Sequence, residues 1–184
     1  MGNSPFLWPI RVYYEDTDAG GVVFYANYLK FFERARTEML RAMGHEQDDL
    51  RKREGIIFAV RSVQVDYLSP ARFNELLQVS AEVIQAKKAS LTFAQSVLRG
   101  NDVLATGHIR IACLNADTLR PTVIPHYLLE QLKNEHLFIH FSSGHRSQFC
   151  RAVRHVYFGD RLIGVLDIYF HQTQRTEPGG ADYR

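Results

Sequence analysis

Two aspartates and two glycines, Asp16, Asp18, Gly20 and Gly21, fall within six residues just ahead of the most regular amphipathic stretch of the chain. A loop carboxylate can draw a proton or attack a carbonyl. Glycine lets the backbone turn tightly and come close to a ligand. On position alone, the commoner use of such an aspartate is to accept N–H groups of its own turn. Asp16 fits that use, while Glu15 faces solvent or a neighbouring strand. Lys87 and Lys88 form a second candidate, a basic pair on an expected turn that could hold phosphate; two solvated lysines are the alternative. Arg61 and Arg72 are weaker cations for the same purpose.

Other groups offer less. Glu33 and Glu38 sit among lysines and arginines on an expected helix and read as surface ion-pair residues. His108 lies on the polar parity of an expected strand. Five of the eight histidines, His136, His140, His145, His155 and His171, follow residue 134, but their spacings fit no metal site. Ser142-Ser143-Gly144-His145 is not a G-x-S-x-G nucleophile elbow. Cys113 and Cys150 make no CxxC pair and read as two reduced, buried thiols.

The elements that must position these residues follow from periodicity. Residues 10–15, Ile-Arg-Val-Tyr-Tyr-Glu, read as a short strand rich in β-formers, and 16–21 as a loop. Tyr28, Phe31, Phe32, Ala35, Met39, Ala42 and Met43 then form one apolar stripe at helical spacing, predicting a helix over about 26–43 with Gly44 as its C-terminal cap. From residue 56 the period becomes two. Val63, Val65 and Tyr67 share one parity, as do Leu77, Val79, Ala81 and Val83. Leu91, Phe93 and Val97 do so in the next run, and Ile109, Ile111 and Cys113 in the last. Breaks at 68–74, 86–89 and 100–102 separate four antiparallel strands, the last two breaks being short enough for hairpin turns. Pro121–Lys133 reads as a short final helix. A sheet with one apolar face must cover it, and only the helix at 26–43 carries a matching stripe. The expected class is therefore α+β, a curved antiparallel sheet wrapped around one long central helix: the hotdog fold.

The 184 residues suit one domain plus an appendage, with 1–133 the hotdog domain and 134–184 a C-terminal extension of unassigned structure, its end (Thr176–Arg184) expected to be disordered. A net charge of +2 argues against a general nucleic-acid binder. No apolar run is long enough to span a bilayer. Met1–Pro9 lacks the basic-then-apolar order of a signal peptide, so the cytoplasm is the expected location.

The run Tyr14-Glu15-Asp16-Thr17-Asp18-Ala19-Gly20-Gly21-Val22-Val23-Phe24-Tyr25-Ala26-Asn27-Tyr28 resembles the 4-hydroxybenzoyl-CoA thioesterase family, most closely its acyl-CoA thioesterases associated with the bacterial Tol-Pal system. The likeness continues through Phe31–Glu38 and Tyr67-Leu68-Ser69-Pro70-Ala71-Arg72 and covers about residues 10–133. The combined D-x-D-x-x-G…Y-x-N-Y pattern carries it, far more specific than an isolated D-x-D. The resemblance implies an acyl-CoA thioesterase in which Asp18 is the catalytic carboxylate and the backbone N–H of Tyr25, at the helix start, polarises the thioester carbonyl. Some relatives carry histidine at the position of Tyr25. A backbone role survives that difference, whereas an imidazole role is excluded here. The resemblance also implies that Lys87 and Lys88 bind the phosphates of coenzyme A. It implies edge-to-edge homodimers, often paired into tetramers, with active sites at the interface, and no metal or redox cofactor beyond the CoA of the substrate itself. Two rivals share the fold. A hydratase would want a histidine near the helix, and none lies between Asp18 and Gly44. A non-catalytic module would hold an acyl thioester or acyl carrier protein without turnover.

Overall fold

The computed structural model describes residues 5–134, together with the backbone of 149–158 and 161–171. The chain divides into two compact units, Met1–Leu137 and Phe138–Arg184.

The first unit is a five-stranded antiparallel sheet around one long helix. Its strands are β1 (Phe6–Arg11), β2 (Ile56–Tyr67), β3 (Leu76–Lys87), β4 (Ser90–Arg99) and β5 (Asp102–Asn115), in the order β1-β3-β4-β5-β2. The central helix is α1 (Asn27–Ala42). A short helix α2 (Gln47–Asp49) runs into a π-helical turn at Leu50–Glu54, and α3 (His126–Asn134) closes the unit.

The first strand lies earlier than expected. β1 spans Phe6–Arg11, and Tyr14–Asp16 is a 3-10 turn instead of strand. Pro9 hides the strand in the sequence, yet proline is tolerated here because β1 is an edge and its outer N–H positions need no partner. Tyr14–Asp16 leaves the sheet because the Asp16 carboxylate takes the Tyr13 N–H at 2.9 Å and closes the turn.

The helix agrees with its stripe: Tyr28, Phe31, Phe32, Ala35 and Met39 are buried, with Ala42 and Met43 packed at the margin of the core. Each such large side chain contributes roughly 1.5–3 kcal/mol by leaving water. Gly44, at φ +86°, ends the helix. The His45 N–H reaches Leu40 O at 3.1 Å and the Gly44 N–H reaches Arg41 O at 2.8 Å, the paired bonds of a Schellman cap.

Phe32 lies flush on the sheet at Gly107, where a Cβ would come within 2.9 Å of its ring. Here the β3–β4 ladder steps from Val79–Val97 directly to Glu82–Ala94. Side chains fill the gap. Ser80 Oγ accepts the Ser96 N–H at 2.7 Å, and buried Gln95 donates to Ser80 O at 3.0 Å and to Phe32 O at 3.1 Å. Arg36 Nη1 in turn donates to Gln95 Oε1 at 2.7 Å. The middle of the helix is thus bolted to the middle of the sheet.

The expected strand parities are the inward ones for β3, β4 and β5: Leu77, Val79, Ala81, Leu91, Phe93, Val97, Ile109, Ile111 and Cys113 are all buried. β2 differs. A bulge at Arg61 switches its parity, so that Phe58 and Val60 continue as Val63, Val65 and Tyr67. Yet Val60, Val63 and Tyr67 are 53%, 41% and 48% exposed. The reason is topological. α1 packs over β3, β1 and β4, and β2 is the far edge of the sheet. The final helix begins at His126, later than Pro121. Pro121 is held in a bridge to Leu114, and the Ile124 N–H bonds Lys88 O at 2.8 Å before the chain can coil.

The second unit contains one antiparallel hairpin, β6 (Phe149–Phe158) against β7 (Arg161–His171). The expectations for Thr176–Arg184 and for the Cys150 side chain lie outside the described residues. Among the described residues, no helix is long and apolar enough to cross a membrane. No cluster of histidine, cysteine and carboxylate side chains there could hold a metal.

Candidate active site

Two short ladders fold the Asp18 loop. The Asp18 N–H bonds Val22 O at 2.9 Å, Thr17 bridges Val23, and the Phe24 N–H bonds Asp16 O at 2.9 Å, making a narrow hairpin that feeds directly into α1. Gly21 sits at its tip with φ +73°, a conformation that would strain a side chain. The Val23 N–H bonds Ala71 O at 2.8 Å and Val22 bridges Arg72, tying the hairpin to the segment after β2.

Asp16 is buried and structural, as its place in the turn suggests. Asn27 Nδ2 donates to Asp16 O at 2.9 Å, latching the first residue of α1 back onto the turn. Asp18 is exposed. Its Oδ1 accepts the Gly20 N–H at 2.8 Å, which fixes the carboxylate, and its Oδ2 has no partner among the described residues.

At the helix start no side chain caps α1, and its first turn holds no acidic residue. The Tyr25 and Ala26 N–H groups donate to no acceptor among the described residues. Unpaired donors at the positive end of a helix stabilise negative charge. Tyrosines line this end. Tyr28 is buried, and its hydroxyl oxygen accepts the Ala71 N–H at 3.0 Å; Tyr67, at the end of β2, donates to Tyr25 O at 2.9 Å. Burial first of all pushes both the Tyr28 and Tyr67 hydroxyls above their ordinary range. The Tyr25 ring itself is 63% exposed, so its packing is against Phe24 and Tyr67 and not the sheet core.

Asp18 and Tyr25 therefore belong to one loop-and-helix unit. Lys87 and Lys88 do not join it within one protomer. Leu76, where β3 begins, pairs with Arg11 near the Asp18 loop, while Lys87 ends the same strand. Twelve residues of strand span roughly 40 Å. Both lysines are exposed, Lys87 at the end of β3 and Lys88 in the hairpin turn, and neither forms an ion pair among the described residues.

A cavity of about 110 Å³ lies at the other half of α1, between Met39, Met43, Phe58, Leu91, Phe93 and Ile111, with Arg36 also in its lining. Arg36 lies over the Phe93 ring at 5.9 Å, and burial lowers its pKa. None of the cavity's walls comes from the Asp18 loop.

Asn27, Tyr67 and Gln95 hold this arrangement together without standing among the candidate residues that the sequence offers. For Gln95 a signal was present: it is a polar residue on the buried parity of β4, between Phe93 and Val97. Asn27 and Tyr67 fall inside the resembling motifs, but hydrogen bonds spanning 11 and 42 residues leave no local trace.

A long helix held against a five-stranded antiparallel sheet defines the hotdog class, and here a loop carboxylate precedes the helix's uncapped N-terminal end. Residues 20–106 match the model of the thioesterase superfamily. The acyl-CoA thioesterase YbgC of Haemophilus influenzae is 41% identical over 125 residues, 68% of this chain and 92% of that protein. The acyl-CoA thioester hydrolase YbgC of Escherichia coli is 39% identical over 134 residues, 72% of this chain and 99% of that protein. Among solved structures, a probable thioesterase from Bartonella henselae superposes with a TM-score of 0.64 at 34% identity, covering 66% of this chain and all of the other. The chain belongs to the YbgC-like acyl-CoA thioesterases of the thioesterase superfamily.

Proposed function

We propose that this protein hydrolyses acyl-CoA to a free acid and coenzyme A at the start of α1. The thioester carbonyl oxygen faces the unpaired N–H groups of Tyr25 and Ala26, and Asp18 works on the carbonyl carbon. In one route the Asp18 carboxylate takes a proton from water as the water oxygen bonds to carbon; in the other, Oδ2 attacks and a mixed anhydride is then hydrolysed. In both, negative charge collects on the carbonyl oxygen, the C–S bond breaks, and the thiolate of CoA leaves and takes a proton. The N–H groups and the helix dipole meet that charge without having to reorganise.

The observation that carries this reading is the division of labour within Asp18. One oxygen is anchored to Gly20 and the other has no partner among the described residues, on a hairpin continuous with an uncapped helix start.

Phosphate binding by Lys87 and Lys88 requires a second copy. The edge position of β2, with no further strand beside it among the described residues, supports a homodimer by antiparallel β2–β2 pairing, which sets the lysine end of one protomer on the side of the Asp18 end of the other. The exposed inward side chains Val60, Val63 and Tyr67 are then covered. A tetramer, a cytoplasmic location and the Tol-Pal association belong to the same proposal. The rival reading, a module that holds an acyl thioester or acyl carrier protein without turnover, is separated by one experiment. Thiol release is followed over a panel of acyl-CoA substrates for the wild type and Asp18→Asn. The variant is expected to lose at least ~100-fold in kcat with its fold intact. Full activity in Asp18→Asn overturns the site assignment, and binding without turnover by the wild type favours the module.

A further inference from the structure

The first turn of α1 is wound tightly. The Asn27 N–H bonds Phe24 O at 2.8 Å and the Leu29 N–H bonds Ala26 O at 3.1 Å. Both bonds reach back three residues, so the Leu29 N–H, the usual helical partner of residue 25, passes over the Tyr25 carbonyl. That carbonyl is taken instead from another element, by the Tyr67 hydroxyl at 2.9 Å. The Tyr67 ring is held in place, edge-on to Tyr25 at 6.5 Å and to Tyr28 at 5.3 Å. Tyr28 is itself pinned by the Ala71 N–H, four residues beyond Tyr67. Partial burial raises the Tyr67 hydroxyl above the usual tyrosine range, so it remains a donor.

A carbonyl that accepts a hydrogen bond polarises its whole peptide group, and the N–H on the far side becomes a stronger donor. The N–H that shares a peptide with the Tyr25 carbonyl is that of Ala26. The Phe24 carbonyl, bonded by Asn27, acts likewise on the Tyr25 N–H. We propose that Tyr67 is a positioning residue for the hydrolysis: by holding the Tyr25 carbonyl, it aims and strengthens the Ala26 N–H as a second donor to the oxyanion, beside that of Tyr25. This rests on the reading that the thioester carbonyl sits at the start of α1. It assigns to the end of β2 a task in the chemistry in addition to its place in the sheet.

The test is Tyr67→Phe in the full chain, which removes one oxygen and keeps the ring. Thiol release is measured over a range of concentrations of the acyl-CoA that the wild type turns over fastest. Removing an oxyanion donor outright costs about 100- to 1000-fold. Here a donor is weakened and not lost, so kcat is expected to fall about tenfold with KM within twofold. The melting temperature stays near that of the wild type, and the ¹⁵N amide resonance of Ala26 shifts because its peptide carbonyl has lost a partner. Wild-type kcat, or an unmoved Ala26 resonance, overturns the proposal. So does a fall in kcat accompanied by a matching rise in KM and a lower melting temperature, which would mark a packing effect. Asp18→Asn is assayed in parallel. If it is inactive while Tyr67→Phe is normal, only the Tyr67 assignment falls. If Asp18→Asn is fully active, the site reading beneath it falls as well.

Discussion

Gln95→Met tests how the helix is seated. Gln95 is 2% exposed and makes three hydrogen bonds: it accepts from Arg36 Nη1 at 2.7 Å, and donates to Ser80 O at 3.0 Å and Phe32 O at 3.1 Å. Methionine has nearly the same length and volume, so no large cavity is left. The Phe32 carbonyl, in mid-helix, keeps its own helical N–H, and its loss is small. Ser80 O has no such reserve, because the β3–β4 ladder is open at that point. An orphaned buried acceptor costs about 1–3 kcal/mol, and loss of the bond to the charged Arg36 about 1.5–3 kcal/mol. The sum is roughly 2.5–6 kcal/mol, a large part of the stability of a domain this size.

Arg36→Met provides the second side of a double-mutant cycle. By itself it leaves Gln95 Oε1 unpaired; together with Gln95→Met it removes both partners and leaves neither charge nor amide stranded. The double variant should therefore be more stable than the two single losses added together, by about 1–2 kcal/mol. Urea unfolding at one fixed protomer concentration measures all four proteins, since association would otherwise shift the midpoints. Losses that add to within about 0.5 kcal/mol would refute the coupling. The guanidinium would then have to be held by solvent, and the Gln95 amide would serve the sheet alone.

Two further outcomes follow from the same core. Gly107→Ala places a methyl 2.9 Å from the Phe32 ring and 2.9 Å from Ile109 Cδ1. The isoleucine methyl can turn aside but the ring edge cannot, so overpacking outweighs the entropy gained in the unfolded chain, and a net loss of about 1–2 kcal/mol is expected in the same urea assay. Burial pushes the Cys113 thiol up to about 11. The unfolded chain releases that proton first, near its ordinary value of about 8.5. Stability contributed at Cys113 is thus complete below that value and declines as pH rises toward 11. Cys113→Ala should unfold with a flatter dependence on pH across that window than the wild type. The native thiol should also resist alkylation at pH 8 until the protein is unfolded.

What the sequence disclosed and what it withheld divide along the range of the forces involved. The helix was legible because its stripe, Tyr28 through Met43, repeats within the element, and the inward residues of β3, β4 and β5 for the same reason. β1 was displaced because a single proline, harmless on an edge, reads as a break when the strand's neighbour is unknown. β2 showed the alternation of a covered strand, yet Val60 and Val63 stand in solvent. Alternation records which side of a strand is apolar and says nothing of what lies against it. Under the proposed β2–β2 pairing, a second copy supplies the cover.

The candidate site divides in the same way. The Asp18 loop and the helix start are contiguous in sequence, so one motif delivers both the carboxylate and the uncapped N–H groups. Their orientation depends on partners that are not contiguous: Ala71 for the hairpin, Tyr67 for the first peptide of the helix, and Gln95 for the helix as a whole. The lysine pair shows the limit from the other side. As chemistry it suits phosphates, but antiparallel pairing of β1 with β3 sends it to the opposite end of the sheet from Asp18. Residue type names a function that only topology can deliver, and it is the proposed pairing of two chains along β2 that would bring Lys87 and Lys88 to a thioester.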